Sequence, residues 1–222
     1  CSKENIGDIM KLLISFLMIF QMICTNVEFY GKSYIVYDSL NQYVVEGRNI
    51  DYLQSVASIS KIMTAIVVIE NSRLDKKITV DETINKAYGS CVYIHIKDRI
   101  TIQDLLYGLM LRSGNDCALM LAKSVGGSVE RFVEMMNEKD EGNLSTVKEM
   151  AILYRYCCQN PLFNQIVKTK EYKRLDGKGY WHNKNRLLKE YPYCVGGKTG
   201  YTKKAKRTLI TRAIKKQVDL II

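Results

Sequence analysis

Ser55-Val-Ala-Ser58-Ile-Ser60-Lys61-Ile-Met-Thr64-Ala-Ile-Val67 is where small polar residues run directly into an apolar series at Ile59, Ile62, Met63, Ile66 and Val67. That spacing predicts a helix. Ser58 and Lys61 are three residues apart, so on a helix they share one face with Cβ atoms about 5–6 Å apart. A serine is a weak nucleophile until a base takes its proton, and a lysine serves as that base only when burial or a neighbouring cation lowers its pKa. The first turn adds free N–H groups and the positive end of the helix dipole, both favourable to an oxyanion forming at Ser58.

By itself S-x-x-K is a weak pattern, because the chain contains it twice. Ser145-Thr-Val-Lys148 reads as a helix N-terminus, with Ser145 or Thr146 as cap and Glu149 completing a capping box. S-x-N is equally cheap, since Ser39-Leu-Asn41 fits it as turn residues. What distinguishes Ser58 is its company downstream, Ser113-Gly-Asn115 and then Lys198-Thr-Gly200. S-x-x-K, S-D-N and K-T-G together are the mark of class A β-lactamases and penicillin-binding proteins.

The resemblance extends through the flanking text. Ala57-Ser-Ile-Ser-Lys-Ile-Met-Thr-Ala65, Asp104-Leu-Leu-Tyr-Gly-Leu-Met-Leu-Arg-Ser-Gly-Asn-Asp116 and Gly196-Gly-Lys-Thr-Gly-Tyr-Thr-Lys-Lys-Ala205 resemble the low-molecular-weight penicillin-binding proteins, and among them the serine D-alanyl-D-alanine carboxypeptidases. The likeness runs from about Ser33 to the end. It implies cleavage of the terminal D-Ala-D-Ala bond of the peptidoglycan stem peptide, without metal or organic cofactor. In that reading Ser58 attacks, Lys61 accepts its proton and Ser113 bridges Lys61 to the leaving amine. Asn115 holds the substrate amide, and Lys198 with Thr199 binds the terminal carboxylate. Gly200 and Tyr201 complete the substrate-binding set, the backbone N–H groups of Ser58 and Tyr201 forming the oxyanion hole. Lys198 is expected to help keep Lys61 neutral by like-charge repulsion. β-Lactams, which mimic the substrate, are expected to acylate Ser58.

Composition is compatible with this. The chain has 222 residues, 47% hydrophobic content and a net charge of +10, enough for one substantial core. Lys203, Lys204, Lys206, Arg207, Arg212, Lys215 and Lys216 crowd the C-terminal part and would attract polyanions. No nucleic-acid-binding motif accompanies them, and an anionic cell-wall surface is the natural partner of an exported protein. Seven cysteines, with no C-x-x-C spacing and only two histidines beside them, speak against a zinc site. Cys117 and Cys157 fall in apolar runs and read as core fillers. Met10-Lys11 followed by an apolar run to Cys24 reads as a secretory signal peptide or membrane anchor over residues 1–27, with Met10 a candidate true start. That places the chain on the extracytoplasmic side of a bacterial membrane.

Residues 28–222 then form one catalytic domain. Ser33–Asp38 and Tyr43–Glu46 read as a hairpin. Thr101 caps a helix that should stop at Ser113-Gly114, where glycine permits a turn. Asn115–Val125, Ser128–Lys139 and Thr146–Gln159 read as further helices, the last offering Met150, Ile152, Leu153 and Tyr156 to the core. Glu171–Leu188 reads as a hairpin, and His182, with no acidic partner nearby in sequence, as a surface histidine rather than a catalytic one. Cys194–Gly200 reads as a strand whose glycines admit a substrate backbone. Arg207–Thr211 and Val218–Ile222 close the chain as strands. The expected class is α/β (α+β), β-lactamase/DD-peptidase-like, an antiparallel sheet flanked by helices with a helical subdomain.

Two departures from the family stand out. The segment between Asn137 and Ser145 is shorter than usual and lacks an Asn-Pro-x-Gly-Leu-like stretch. The chain also stops at Ile222, before the usual closing strand and helix, and so reads as C-terminally incomplete with an unpaired apolar edge. Three other readings stay open. One is a class A-like β-lactamase, against which stand Ser113-Gly-Asn115 in place of S-D-N and no deacylating glutamate. The others are a catalytically impaired remnant that binds cell wall, and a basic nucleic-acid-binding module.

Overall fold

The computed structural model describes residues 30–136 and 144–222. The signal-peptide reading of residues 1–27 and the shortened segment at 137–143 lie outside them. Among the described residues no helix is long and apolar enough to cross a membrane.

Alternating β-branched and aromatic residues build β1 (Tyr34–Asp38) and β2 (Tyr43–Arg48), and the C-terminal runs build β3 (Cys194–Thr202), β4 (Lys206–Lys215) and β5 (Val218–Ile221). They join in one antiparallel sheet of order β2-β1-β5-β4-β3. Segments far apart in sequence therefore meet: Tyr37 pairs with Ile221, and β5 lies between β1 and β4. This corrects the expectation of an unpaired edge at the C-terminal strand, because a local hairpin with β4 covers one of its sides and a non-local pairing with β1 the other. The open edges belong to β2 and β3.

Helices α1 (Lys61–Asn71), α2 (Ile102–Arg112), α3 (Asn115–Gly126), α4 (Val129–Met135), α5 (Val147–Cys157) and α6 (Pro161–Lys168) supply the rest of the core. α2 is apolar nearly all round, as befits a helix enclosed on every side. Leu105, Leu106, Leu109 and Leu111 are at most 1% exposed. Cys117 and Cys157 are fully buried, as their apolar setting implied.

α5 turns inward only two of the four residues expected there, Met150 and, in part, Leu153. Met150, Ala151, Tyr154 and Cys157 are buried, whereas Ile152 and Tyr156 are about half exposed. The i, i+3, i+4, i+7 row that starts at Met150 is the one turned inward, and Tyr156 instead donates its hydroxyl hydrogen to Glu70 across the surface (2.7 Å).

Candidate active site

Four separated segments converge at the open edge of β3. The first is a 3-10 turn, Ala57–Ser60, that precedes α1, so Ser58 sits ahead of the α-helix rather than in its first turn. Ala57 takes a left-handed backbone (φ +49°), a costly conformation for a residue with a Cβ. Thr208 of β4 holds this turn on the sheet through a hydrogen bond to the Val56 carbonyl (3.1 Å). On the next turn the Lys61 amine reaches the Ser58 hydroxyl at 3.5 Å.

The second segment joins α2 to α3. Here the expected glycine turn is made by Ser113 itself, at φ +62°, while Gly114 is extended (φ −61°). The strain thus falls on a residue whose side chain points into the cleft. Asn115, opening α3, donates its side-chain amide to the Tyr88 carbonyl and its backbone N–H to the Ser90 carbonyl (2.7 Å). Asp116 beside it is 3% exposed and accepts backbone N–H bonds from Val92, Tyr93, Ile94 and Cys117. A buried carboxylate must be satisfied in this way, and doing so fixes the 88–94 loop against Asn115.

The third segment is β3. Lys198 is 1% exposed and donates from Nζ to the Ser113 hydroxyl and to the Thr199 carbonyl (2.7 Å). Strand pairing decides which backbone groups face the cleft. Thr211 exchanges both of its hydrogen bonds with Ile222, so it offers none to Gly197 opposite it in β3. Antiparallel alternation then turns the N–H and C=O groups of Gly197, Thr199 and Tyr201 away from β4 and toward the open edge. Gly200 is required for close approach: a Cβ there would lie 2.8 Å from the Ser58 nitrogen and would collide with Thr208. Gly196 and Gly197 have another reason. Cβ atoms on them would strike Val167 and, for Gly197, Asn185 and Ile210, so they serve internal packing rather than a substrate backbone.

The fourth segment, Asn183-Lys184-Asn185, was not singled out in the sequence. Lys184 donates its N–H to the Leu111 carbonyl at the end of α2 (3.2 Å), and Asn185, 3% exposed, packs against Gly197. This segment follows the small hairpin of Glu171–Lys173 with Tyr180–His182, which Asp104 docks onto α2 by accepting from the Tyr172 hydroxyl and the Leu175 N–H. His182 does find an acidic partner, Glu171 directly across that hairpin (2.9 Å), and the pair is solvent-exposed. Nothing but tertiary packing could have drawn attention to Lys184.

Electrostatics follow from burial. Burial pushes the Lys61 amine down to about 8, with the Lys184 charge acting in the same direction. Burial also pushes Lys198 down to about 7, helped by Lys61 and then Lys184. The expected lysine–lysine repulsion is present, but it falls on the more buried Lys198, and Lys184 is the cation that acts on Lys61. The arrangement therefore holds a hydroxyl against an amine able to be neutral near pH 8, which is what activation of a serine requires. Among the described residues no group of three His, Cys, Asp or Glu side chains is placed to hold a metal.

The family model described as D-alanyl-D-alanine carboxypeptidase matches residues 21–142 and 139–222. The chain is 29% identical over 211 residues to D-alanyl-D-alanine carboxypeptidase DacF of Bacillus subtilis, covering 83% of this chain and 54% of that one. It is 29% identical over 214 residues to D-alanyl-D-alanine carboxypeptidase DacB2 of Mycobacterium tuberculosis, covering 86% and 73% respectively. The crystal structure of a D-alanyl-D-alanine carboxypeptidase from Mycobacterium tuberculosis superposes with a TM-score of 0.80 at 27% identity, over 89% of this chain and 84% of that one. The chain thus spans about half the length of the Bacillus relative.

Proposed function

Because this chain belongs to the D-alanyl-D-alanine carboxypeptidase family, peptidase S11, we propose that it is a serine hydrolase that removes the terminal D-alanine of peptidoglycan stem peptides through an acyl-enzyme on Ser58. The observation that carries this reading is the Lys61 amine, lowered to about 8 and 3.5 Å from the Ser58 hydroxyl.

The steps follow from the geometry. Ser58 Oγ attacks the carbonyl of the penultimate residue while its proton passes to neutral Lys61. The oxyanion forms between the Ser58 N–H and the edge-facing Tyr201 N–H, both fixed before the substrate arrives. Gly200 lets these two donors come close. As the C–N bond breaks, the proton that Lys61 took from Ser58 passes by way of Ser113, which Lys198 holds, to the departing D-alanine nitrogen, leaving Lys61 neutral. Asn115 orients the acyl-side amide. Lys198 and Thr199 receive the terminal carboxylate, whose charge restores the proton that burial makes Lys198 reluctant to keep. Water then attacks the ester with Lys61 again as base, releasing the shortened peptide and Ser58. β-Lactams present the same carbonyl and carboxylate, and they acylate Ser58.

The enzyme acts outside the cytoplasm. Lys203, Lys204, Lys206 and Arg207 stand exposed on the β3–β4 hairpin beside the cleft and suit an anionic wall polymer. Arg212 is excluded from that field, because it is held by Asp219 in a largely buried pair (2.6 Å).

Labelling with a fluorescent penicillin tests the reading. The wild type takes up label and Ser58→Ala does not; an unlabelled wild type, or label persisting in Ser58→Ala, overturns it. Rapid release of hydrolysed penicillin would instead mark a β-lactamase.

A further inference from the structure

Lys198 and Thr199 hold the terminal carboxylate of the substrate only in part. A lysine ammonium has three N–H donors, and Lys198 directs one to the Ser113 hydroxyl and one to the Thr199 carbonyl. One donor is left, on a residue that is 1% exposed. The Thr199 hydroxyl, half-buried and without a hydrogen bond to any described residue, adds a second. An ionised carboxylate offers about four acceptor sites on two oxygens, so these two donors do not saturate it.

Lys184 is fixed beside that pair from two directions. Its N–H donates to the carbonyl of Leu111 (3.2 Å), two residues before Ser113. The side-chain amide of the next residue, Asn185, packs against Gly197, the residue before Lys198. Asn185 is 3% exposed and its side-chain oxygen accepts from the Leu187 N–H (3.2 Å), which anchors the segment. Lys184 therefore sits between the two segments whose side chains meet at Ser113 and Lys198. Its own side chain is exposed and makes no hydrogen bond or ion pair with any described residue. In keeping with this placement, its charge acts on both Lys61 and Lys198. No described carboxylate pairs with any of these three amines. Converging cations without a counter-ion raise the local concentration of an anion, and the end of the substrate supplies one.

We infer that Lys184 is a specificity residue of this cleft, whose ammonium binds the free C-terminal carboxylate of the substrate alongside Thr199 and Lys198. The inference rests on the proposed reaction and deepens it: the enzyme selects a free chain end over an amidated or internal D-alanyl bond. A C-terminal amide brings no charge to Lys184 and turns an N–H toward a group that is itself only a donor.

The test compares diacetyl-L-lysyl-D-alanyl-D-alanine with its C-terminal amide on wild type, Lys184→Gln and Lys184→Arg. Wild type should favour the acid. Lys184→Gln should lower the acid-to-amide ratio of kcat/KM by about tenfold, the scale of a hydrogen bond to a charged group, and Lys184→Arg should keep most of it. Both peptides meet the same preparation, so partial unfolding, or a change in the proton affinity of Lys61, cancels in the ratio. A wild-type ratio near one, or a ratio that Lys184→Gln leaves unchanged, overturns the inference. Binding of the two peptides to Ser58→Ala, with and without Lys184→Gln, separates this from failure of the proposed reaction. If neither peptide is hydrolysed but Ser58→Ala holds the acid more tightly through Lys184, the subsite stands and the reaction falls; if Ser58→Ala shows no such preference, the subsite falls with it.

Discussion

The chain carries two S-x-x-K sites, and they end as opposites. At Ser58 and Lys61 the amine turns inward, faces the hydroxyl at 3.5 Å and loses affinity for its proton through burial. At Ser145 and Lys148 the lysine reaches outward to Asp51 (3.3 Å) with 46% of its side chain exposed. Ser145 gives its hydroxyl hydrogen to Glu149 (2.8 Å), and Thr146 and Glu149 form a complete capping box. The spacing is the same in both places, yet only Ser58 and Lys61 meet. The dielectric around the amine decides whether the pair is a base and nucleophile or a helix start.

The comparison breaks most sharply at the serines. Ser58→Ala should abolish penicillin acylation, because the oxygen that forms the ester is gone, whereas Ser145→Ala should leave it at the wild-type value; gel fluorescence against time decides both. The lysines come next. Lys61→Ala removes the proton acceptor and should cost about 10²- to 10⁴-fold in acylation rate, while Lys148→Ala should cost nothing, since it disturbs only an exposed ion pair.

pH then sharpens the contrast. Lys61 must be neutral to accept a proton, so acylation should be slow at pH 6, rise through about 8 and level off above it. Lys184→Gln removes a like charge, favours protonated Lys61 and should shift the midpoint of that profile upward. A profile flat between pH 6 and 9 would remove Lys61 from the role of base. The smallest effect belongs to the other site: Thr146→Ala deletes a helix cap and should lower stability by about 1 kcal/mol in denaturant unfolding with labelling unchanged.

Much of the fold was legible locally. The cap at Thr101, the choice of Thr146 over Ser145 as the cap of α5 and the turn after β1 depend on hydrogen bonds within a few residues, and each falls within what was read. The misreadings share a cause. Which stripe of α5 faces inward, why Gly196 lacks a side chain and that Ser113 takes the left-handed turn all depend on neighbours from distant segments. Lys206 is left-handed (φ +61°), a conformation that a lysine does not announce in sequence.

The sequence by itself determined the parts of the proposed catalytic set and the one pairing that neighbours three residues apart can make, Ser58 with Lys61. The tertiary structure decided what spans the chain: Lys198 against Ser113 from 85 residues away, and Lys184, bonded to Leu111, where its charge acts on Lys61 and Lys198. Local hydrogen bonds and side-chain periodicity are fixed by near neighbours in sequence. The burial that lowers an amine's pKa is a property of the assembled core, and no stretch of chain contains it.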